Sequence, residues 1–379
     1  MGARAALLTP GTPEGPGADV TAPGPSGVVD RRAVRRPRGE DGAVTTGAAG
    51  LFGQGALELD LEGQLELGLP DEDTSPASVA EQARQSIDDL VRGAQRYRTS
   101  EQYRALLRFV GSFRRYAPYN VVLVDVQRPG STYVLTAARW REAYGRAVRA
   151  DAQPLVVLQP RGPVMFVYDV SDTEPLEGAR PLPPEVTDPF AVAVGSEADV
   201  RARLERLEDN LVGLGIRVST GRLGSQQAGS ARTASGRTLR RERRARGGRQ
   251  QTVVEQVPLR YEVVLAEHLD VRARLVTLAH EVAHVLCGHL GTPDPLWWPD
   301  RRGVDHDVEE WEAESVAYLV ARRVDSSVQM PPYLHHHLRD GLQPPVFSLE
   351  RVAKATGDVE AYCTRRLRTA EIGKARTTS

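Results

Sequence analysis

Cysteine is almost missing from this sequence: only Cys287 and Cys363 occur among 379 residues. Neither a disulfide framework nor a thiolate zinc cluster can be assembled from them, and a reducing, cytoplasmic compartment is the expected one. Long apolar runs are missing too. Stretches such as Val121-Val122-Leu123-Val124 fall far below the roughly 18–20 residues that span a bilayer, so no membrane protein is expected. Charge of one sign is also lacking. The 49 Lys+Arg face 50 Asp+Glu, a formal balance of −1, which removes any global pull toward nucleic acid or anionic lipid. The first residues carry one Arg and the short apolar stretch Ala5-Ala6-Leu7-Leu8 before Pro and Gly, too little for a secretory signal, so no export is expected. What is present, 40% hydrophobic and 26% charged residues, suits a soluble chain of one to three domains.

Residues 1–75 are rich in Gly, Ala, Pro, Thr and acids, with a basic knot at Arg31-Arg32-Ala33-Val34-Arg35-Arg36. Such a segment buries too little apolar surface to offset its ordering entropy and is expected to be a disordered tail. Within it Leu57, Leu59, Leu61, Leu65, Leu67 and Leu69 alternate with acids and polar residues, compatible with either a partner-binding strand or a floppy stretch. Residues 76–186 read as a small α+β domain. Helical spacing of Ile87, Leu90 and Val91 and then of Tyr103, Leu106, Leu107, Val110 and Phe113 is followed by β-rich runs at Val121–Val126, Thr132–Leu135, Leu155–Leu158 and Val164–Val170.

A second unit, residues 187–379, opens with an amphipathic helix from Ser196 bearing Val200, Leu204, Leu207, Leu211 and Leu214. Ile216–Ser219 and Arg260–Ala266 read as strands. Between them, at 224–250, lies an insertion in which Arg232, Arg237, Arg240, Arg241, Arg243, Arg244, Arg246 and Arg249 face one acid, Glu242; it is expected to be a mobile basic loop. Asp270 then caps a helix with Val271, Leu275, Leu278, Val282 and Val285 on one stripe, stopped at Gly288, and another helix runs from about Asp307 to Arg322. No internal repeat is present.

The chemistry is concentrated in His280-Glu281-Val282-Ala283-His284. On a helix, residues at i and i+4 stand one above the other, so both imidazoles reach one ion, while Glu281 lies beside the pair where it can serve as a base. A catalytic site needs a third protein ligand and one position left for water. The candidates are Glu310 and Glu314, which share a face of the next helix, with the small Ala313 and Ala317 allowing close packing. Glu310 is taken as the third ligand and Glu314 as acceptor of an imidazole N–H, although the two can be exchanged. Glu309 and Glu312 should face elsewhere, toward solvent. His289 lies beyond Gly288 and His306 in a loop, so neither has ligand spacing; His335-His336-His337 diverge by about 100° per residue and cannot chelate together. Cys287 reads as a small core residue.

The stretch Thr277-Leu278-Ala279-His280-Glu281-Val282-Ala283-His284, followed by Glu310-Trp311-Glu312-Ala313-Glu314-Ser315-Val316-Ala317-Tyr318, resembles the ImmA/IrrE-type zinc metallopeptidases over roughly residues 190–330. Glu310 and Glu314 fall at that family's downstream ligand and orienting positions, with Glu where Asn or Asp is more usual. Upstream, Tyr119-Asn120, Gln127-Arg128-Pro129, Trp140-Arg141-Glu142-Ala143-Tyr144-Gly145-Arg146 and Tyr168-Asp169-Val170-Ser171-Asp172-Thr173-Glu174 resemble the N-terminal single-stranded-DNA-binding domain of ArdC antirestriction proteins. Arginines interleaved with aromatics agree in sign: Arg92, Arg96, Arg98, Arg104, Arg108, Arg114 and Arg115 lie among Tyr97, Tyr103, Phe113 and Tyr116, with Glu101 the single acid between residues 92 and 116.

These resemblances imply an α+β protein with a disordered tail, an ArdC-like domain at 76–186 and a mostly helical, gluzincin-like metallopeptidase domain with a small β-sheet at 187–379. The implied cofactor is Zn²⁺, held by His280, His284 and Glu310, with Glu281 as catalytic base acting on a protein substrate such as a repressor or restriction component of a mobile element. Arg104, Arg108, Arg114, Arg115, Tyr116 and Tyr119 are the candidate contacts to single-stranded DNA. The rival expectation is an antirestriction-type DNA-binding protein in which zinc is structural. No fourth protein ligand stands out in the sequence, as a closed structural site would need.

Overall fold

The computed structural model describes residues 58–59, 65–66, 87–88, 91, 97, 99–159, 162–187, 195–224, 227–244, 252–338 and 343–365. The chain divides into two units, one of Thr9–Ser78 and the other of Met1–Leu8 with Val79–Ser379. In the first, β1 (Glu58–Leu59) pairs antiparallel with β2 (Leu65–Glu66), within the stretch where leucines alternate with acids. The remainder of the expected tail, most of the helix expected from Val79, and Arg92, Arg96 and Arg98 lie outside the described residues.

In the larger unit, α1 (Ser100–Ser112) is opened by a reciprocal cap between Thr99 and Gln102 and buries Tyr103, Leu106, Leu107 and Val110. The run Val121–Val126, expected as a strand, is instead part of helix α2 (Pro118–Gln127). Its β-branched residues favour a strand only on a pleated, half-buried surface, whereas Val121, Val122, Leu123 and Val124 are all buried. Pro118 at the first helical position supplies a preset φ. Helix α2 runs along β5 (Leu155–Gln159), the edge of a sheet in the order β3 (Val134–Leu135), β6 (Gly162–Asp169), β5. The Asn120 amide donates to Leu158 O at 2.8 Å and accepts from Leu158 N at 2.9 Å; Gln127 does the same with Val156, both bonds at 2.8 Å. Two side-chain amides two turns apart thus replace a neighbouring strand and cover the edge.

Helix α3 (Ala137–Tyr144) buries Trp140, whose indole N–H donates to Tyr168 O at 2.8 Å. Asp169 accepts from the backbone of Thr132 and Tyr133, and Arg128 pairs with Asp172. The strands β4 (Arg146–Val148) and β7 (Thr173–Pro175) form a separate antiparallel pair, and α4 (Pro184–Thr187) closes the segment. Several residues behind the ArdC resemblance, Asn120, Gln127, Arg128, Trp140, Asp169 and Asp172, therefore hold this α+β segment together.

Beyond α5 (Glu197–Gly213), β8 (Ile216–Gly221), β9 (Gly229–Thr233) and β12 (Tyr261–Ala266) form a sheet in the order β8-β12-β9, parallel on one side of β12 and antiparallel on the other. The expected mobile loop at 224–250 is, over most of its described part, strand. β10 (Thr238–Arg244) pairs along its length with β11 (Thr252–Pro258), Arg240 opposite Gln256 and Arg241 opposite Glu255. A two-stranded ribbon satisfies its backbone by pairing and can leave polar side chains in water, so low apolar content does not forbid it. Arg232 has an acid after all. It bonds Glu262 on β12 at 2.6 Å, and Arg217 on β8 meets the same carboxylate, which is 8% exposed.

Two long helices follow, α6 (Val271–Leu286) and α7 (His306–Val324), then α8 (Pro332–His337) and α9 (Leu349–Thr364). Nearly every residue of α7 from Glu310 to Ala321 is buried, because α1, α6 and α9 surround it. Tyr103 of α1 stacks on Trp311 at 5.3 Å and donates to Ser315 Oγ at 2.8 Å. Arg323, 5% exposed, donates to the end carbonyls Val110 O and Phe113 O at 2.8 Å while Glu360 of α9 neutralises it. Helix α1, from the segment before residue 186, thus packs on α7, from the segment after it. Helix and strand are mixed throughout, and no helix among the described residues is long and apolar enough to cross a membrane.

Candidate metal centre

Helix α6 is set by its first turn: Asp270 accepts from Ala273 N at 2.8 Å. Leu275, Leu278, Val282 and Leu286 are buried, which turns His280 and His284 inward toward α7, where they are 2% and 6% exposed. The two Nε2 atoms face each other at 3.2 Å. Glu310, on α7, brings one carboxylate oxygen to 3.5 Å from His280 Nε2 and the other to 3.6 Å from His284 Nε2. Two of the three donors come from neighbouring turns of one helix, and the third comes from the helix packed on it.

This triangle could hold a metal ion. Ligand atoms about 2.0–2.1 Å from one tetrahedrally bound ion lie about 3.3–3.4 Å apart, close to the spacings given above. Glu310 Oε1 is buried without a hydrogen-bond partner, an arrangement that costs free energy unless a cation or proton fills the space. Glu314 is on the other side of His280, its Oε1 3.8 Å from Nδ1. The structure therefore groups Glu310 with the two Nε2 atoms and places Glu314 on the Nδ1 side of the His280 ring. His306, the first residue of α7, is exposed and lies 3.9 Å from Glu310 at the rim.

Glu281 is fully buried and neither of its oxygens has a hydrogen-bond partner. Space for it depends on Gly229 of the edge strand β9, where a Cβ would come within 2.8 Å of Glu281 Oε1 and 2.7 Å of Thr277 Cγ2. Burial pushes its carboxyl up to about 7, the His280 charge opposing and Glu310 and Glu314 adding to the rise. Burial lowers His280, but bonding to Glu310 and the charges of Glu314 and Glu281 outweigh it and raise the imidazolium to about 9. His284 is driven well below the ordinary histidine value by burial and by the charges of His280 and His289.

A raised folded-state value means that the His280 proton stabilises the metal-free fold fully below the ordinary value of 6.5 and that this contribution is lost as pH climbs to about 9. The Tm of metal-stripped protein should therefore fall between about pH 7 and 9, and His280→Gln should flatten that slope. An unchanged slope in the variant refutes this account.

Two residues assigned to solvent or to an ordinary structural place by sequence belong to this centre. Gly288 ends α6 with φ +85°, a left-handed turn that folds the chain back so that His289 N donates to His284 O at 3.0 Å. His289, 5% exposed, then stands beside His284, the two Nδ1 atoms 3.1 Å apart. Its Nε2 is 3.0 Å from Oε2 of Glu312. Glu312, expected on a solvated face, is fully buried and takes Arg301 at 2.5 and 2.8 Å and Ser348 N at 2.8 Å. Burial opposes its charge, but His289 and Arg301 outweigh burial and hold the carboxyl below its ordinary value.

Glu312 is ionised and only accepts, so with a neutral His289 the protons of this chain of bonds run one way. His289 donates from Nε2 to Glu312 and accepts at Nδ1 from His284, which leaves the His284 Nε2 lone pair aimed at the triangle. Cys287, His289 and Glu312 also bring donor atoms within 4.8 Å of one another. A cation there would face the Arg301 guanidinium and a thiol that burial pushes up to about 12, so the grouping acts as a brace. For a metal ion taken up at the triangle, His289→Leu should weaken binding by about 10–100-fold. His289→Gln, whose amide can accept from His284 and donate to Glu312, should recover part of that loss in a chelator competition. Equal weakening by both variants would show that only volume matters.

The structure gives the six residues expected to meet single-stranded DNA different surroundings. Arg104 and Arg108 line a cavity beside α7. Arg114 donates to Arg322 O at 3.4 Å, Arg115 to Tyr133 Oη at 3.1 Å, and Tyr116 to Val134 O at 3.2 Å while stacking on Phe113. Tyr119 is 7% exposed, bonded to Asp88 and covered by Lys354. Comparison of the chain with protein-family models, with curated proteins and with solved structures finds no match.

Proposed function

We propose that this chain is a zinc-dependent metallopeptidase. The observation that carries the reading is the convergence of His280 Nε2 and His284 Nε2, 3.2 Å apart, with the Glu310 carboxylate, one oxygen 3.5 Å from the first and the other 3.6 Å from the second, next to a buried carboxylate, Glu281, that has no hydrogen-bond partner. A zinc ion bound there supplies Lewis acidity, which polarises an amide carbonyl and acidifies water. The chain's own residues do the rest. Glu281, whose carboxyl is raised to about 7, is matched to take a proton from the attacking water and return it to the leaving amine near neutral pH. His289 and Glu312 fix the proton on the far side of His284. The edge strand β9 passes over Glu281 at Gly229 and walls that side of the site.

Three protein donors suit a hydrolytic zinc better than a structural one, which closes all four positions with protein. The rival, a single-strand binder with a structural ion, draws less support, since the aromatic ring of Tyr119 and those of Tyr103 and Phe113 are buried in the core. The test is metal analysis of the purified chain together with proteolysis of a denatured protein mixture. One zinc per chain and peptide products that disappear on chelation are expected; a zinc-loaded chain that yields no new termini refutes the peptidase reading.

A further inference from the structure

The chain as a whole is nearly neutral, yet residues 217–260 hold eleven arginines against two acids, Glu242 and Glu255, and contain no aromatic residue. The fold gathers much of this stretch onto one hairpin. Strand β9 leads into β10 and β11 into β12; Ala234 N donates to Arg260 O at 2.7 Å and Leu259 N to Arg237 O at 2.9 Å, so the β10–β11 ribbon continues the β9–β12 pair. Successive side chains of a strand take opposite faces. Gly229 faces Glu281 and Thr277, which puts Arg232 on the other face of β9, away from the metal centre. There Arg232 of β9, Glu262 of β12 and Arg217 of β8 stand side by side in register. Both guanidinium groups pair with the one carboxylate, which leaves one positive charge in excess.

The ribbon has an outward face as well. Arg241 and Val257 are buried, whereas Thr238, Arg240, Gln256 and Pro258 on the opposite face are exposed. Arg240, and Arg237 in the turn before β10, are exposed and pair with no carboxylate among the described residues. Such a surface suits a polyanion, and its composition narrows the class. A protein partner needs an apolar or aromatic core to its interface, but Val254 is the one large apolar side chain exposed among the described residues of this stretch. A single strand needs open rings on which its bases stack, and the stretch has none. Duplex DNA needs neither, because its phosphates carry the affinity. Its major groove, about 12 Å wide, admits a two-stranded ribbon, whereas that of duplex RNA is too narrow. We propose that the β10–β11 ribbon and the outer face of the β8-β12-β9 sheet bind duplex DNA, with Arg217, Arg232, Arg237 and Arg240 meeting its phosphates. This inference goes beyond the peptidase reading and does not rest on it.

The test uses the full chain and a fluorescein-labelled DNA duplex of about 20 base pairs, followed by anisotropy from about 50 to 200 mM salt. The logarithm of the binding constant should fall with the logarithm of salt concentration at a slope of about −2 to −4, as two to four phosphate contacts require. Arg237→Gln combined with Arg240→Gln, at exposed positions where folding is not at stake, should flatten that slope by about 2 and weaken duplex binding by about tenfold or more. Arg139→Gln, at an exposed position on α3, should change neither. Equal melting temperatures of the variants and the wild type check that all are folded. A duplex affinity that ignores salt, or that the double variant leaves unchanged, overturns the proposal. So does tighter binding of the separated single strand, or of polyglutamate, through the same arginines, since the surface would then belong to another partner. Zinc content and peptide hydrolysis read the metal centre independently, so loss of either leaves the duplex site standing, and loss of duplex binding leaves the peptidase reading standing.

Discussion

Glu281→Gln is expected to leave the metal content of the protein unchanged while lowering peptide hydrolysis by about 10²–10⁴-fold, the range for loss of a positioned general base. The variant is close to isosteric, so the Gly229 contact and the packing of α6 should persist. Neither Glu281 oxygen takes part in the triangle of His280, His284 and Glu310, so metal affinity should not depend on the charge of this carboxylate as it does on those three donors. What is lost is the proton acceptor: an amide cannot accept and return a proton near neutral pH. Metal analysis and kcat on any peptide the wild type cuts check both halves. Wild-type kcat in the variant would remove Glu281 from the chemistry, and loss of metal would place it among the ligands instead.

Glu310→Gln should weaken metal binding by more than the roughly 10–100-fold that loss of an outer partner costs, whereas Glu314→Gln should stay within that range. The reason is geometric. Glu310 presents its oxygens to both Nε2 atoms at 3.5 and 3.6 Å; Glu314 addresses the Nδ1 side of a single ring at 3.8 Å. Gln at position 310 keeps one weak oxygen donor but removes the negative charge that offsets the cation among buried groups. Competition against a chelator of known affinity measures both variants. The reverse order of the two effects would exchange their roles.

The helix bearing His280 and His284 and the helix bearing Glu310 were legible from the sequence because the signals are local. Asp270 as cap, the apolar stripe through Leu278 and Val282, and the spacing of four that stacks two rings are all properties of 3.6 residues per turn. The same periodicity applied to the next helix put Glu310 and Glu314 on one face, as alternatives for the third donor. Helix α2 was misread because strand preference is a statement about surroundings, and the surroundings that buried Val121–Val124 on every side lie in other parts of the chain. The basic segment failed as a loop for a related reason: the partner of Arg232 is Glu262, thirty residues on, and the strand that pairs β10 lies beyond residue 250.

What the sequence determined by itself was that His280 and His284 are candidate donors side by side on one helix face, with Glu310 or Glu314 of the next helix as the third, since spacing on a helix is geometry. What only the tertiary structure decided was the environment of those donors. Gly288 reverses the chain so that His289 meets His284, Arg301 and Ser348 converge on Glu312, and α1 brings two arginines to the side of α7. Each is a contact between segments whose separation along the chain carries no period, set by how the helices bury their apolar faces against one another.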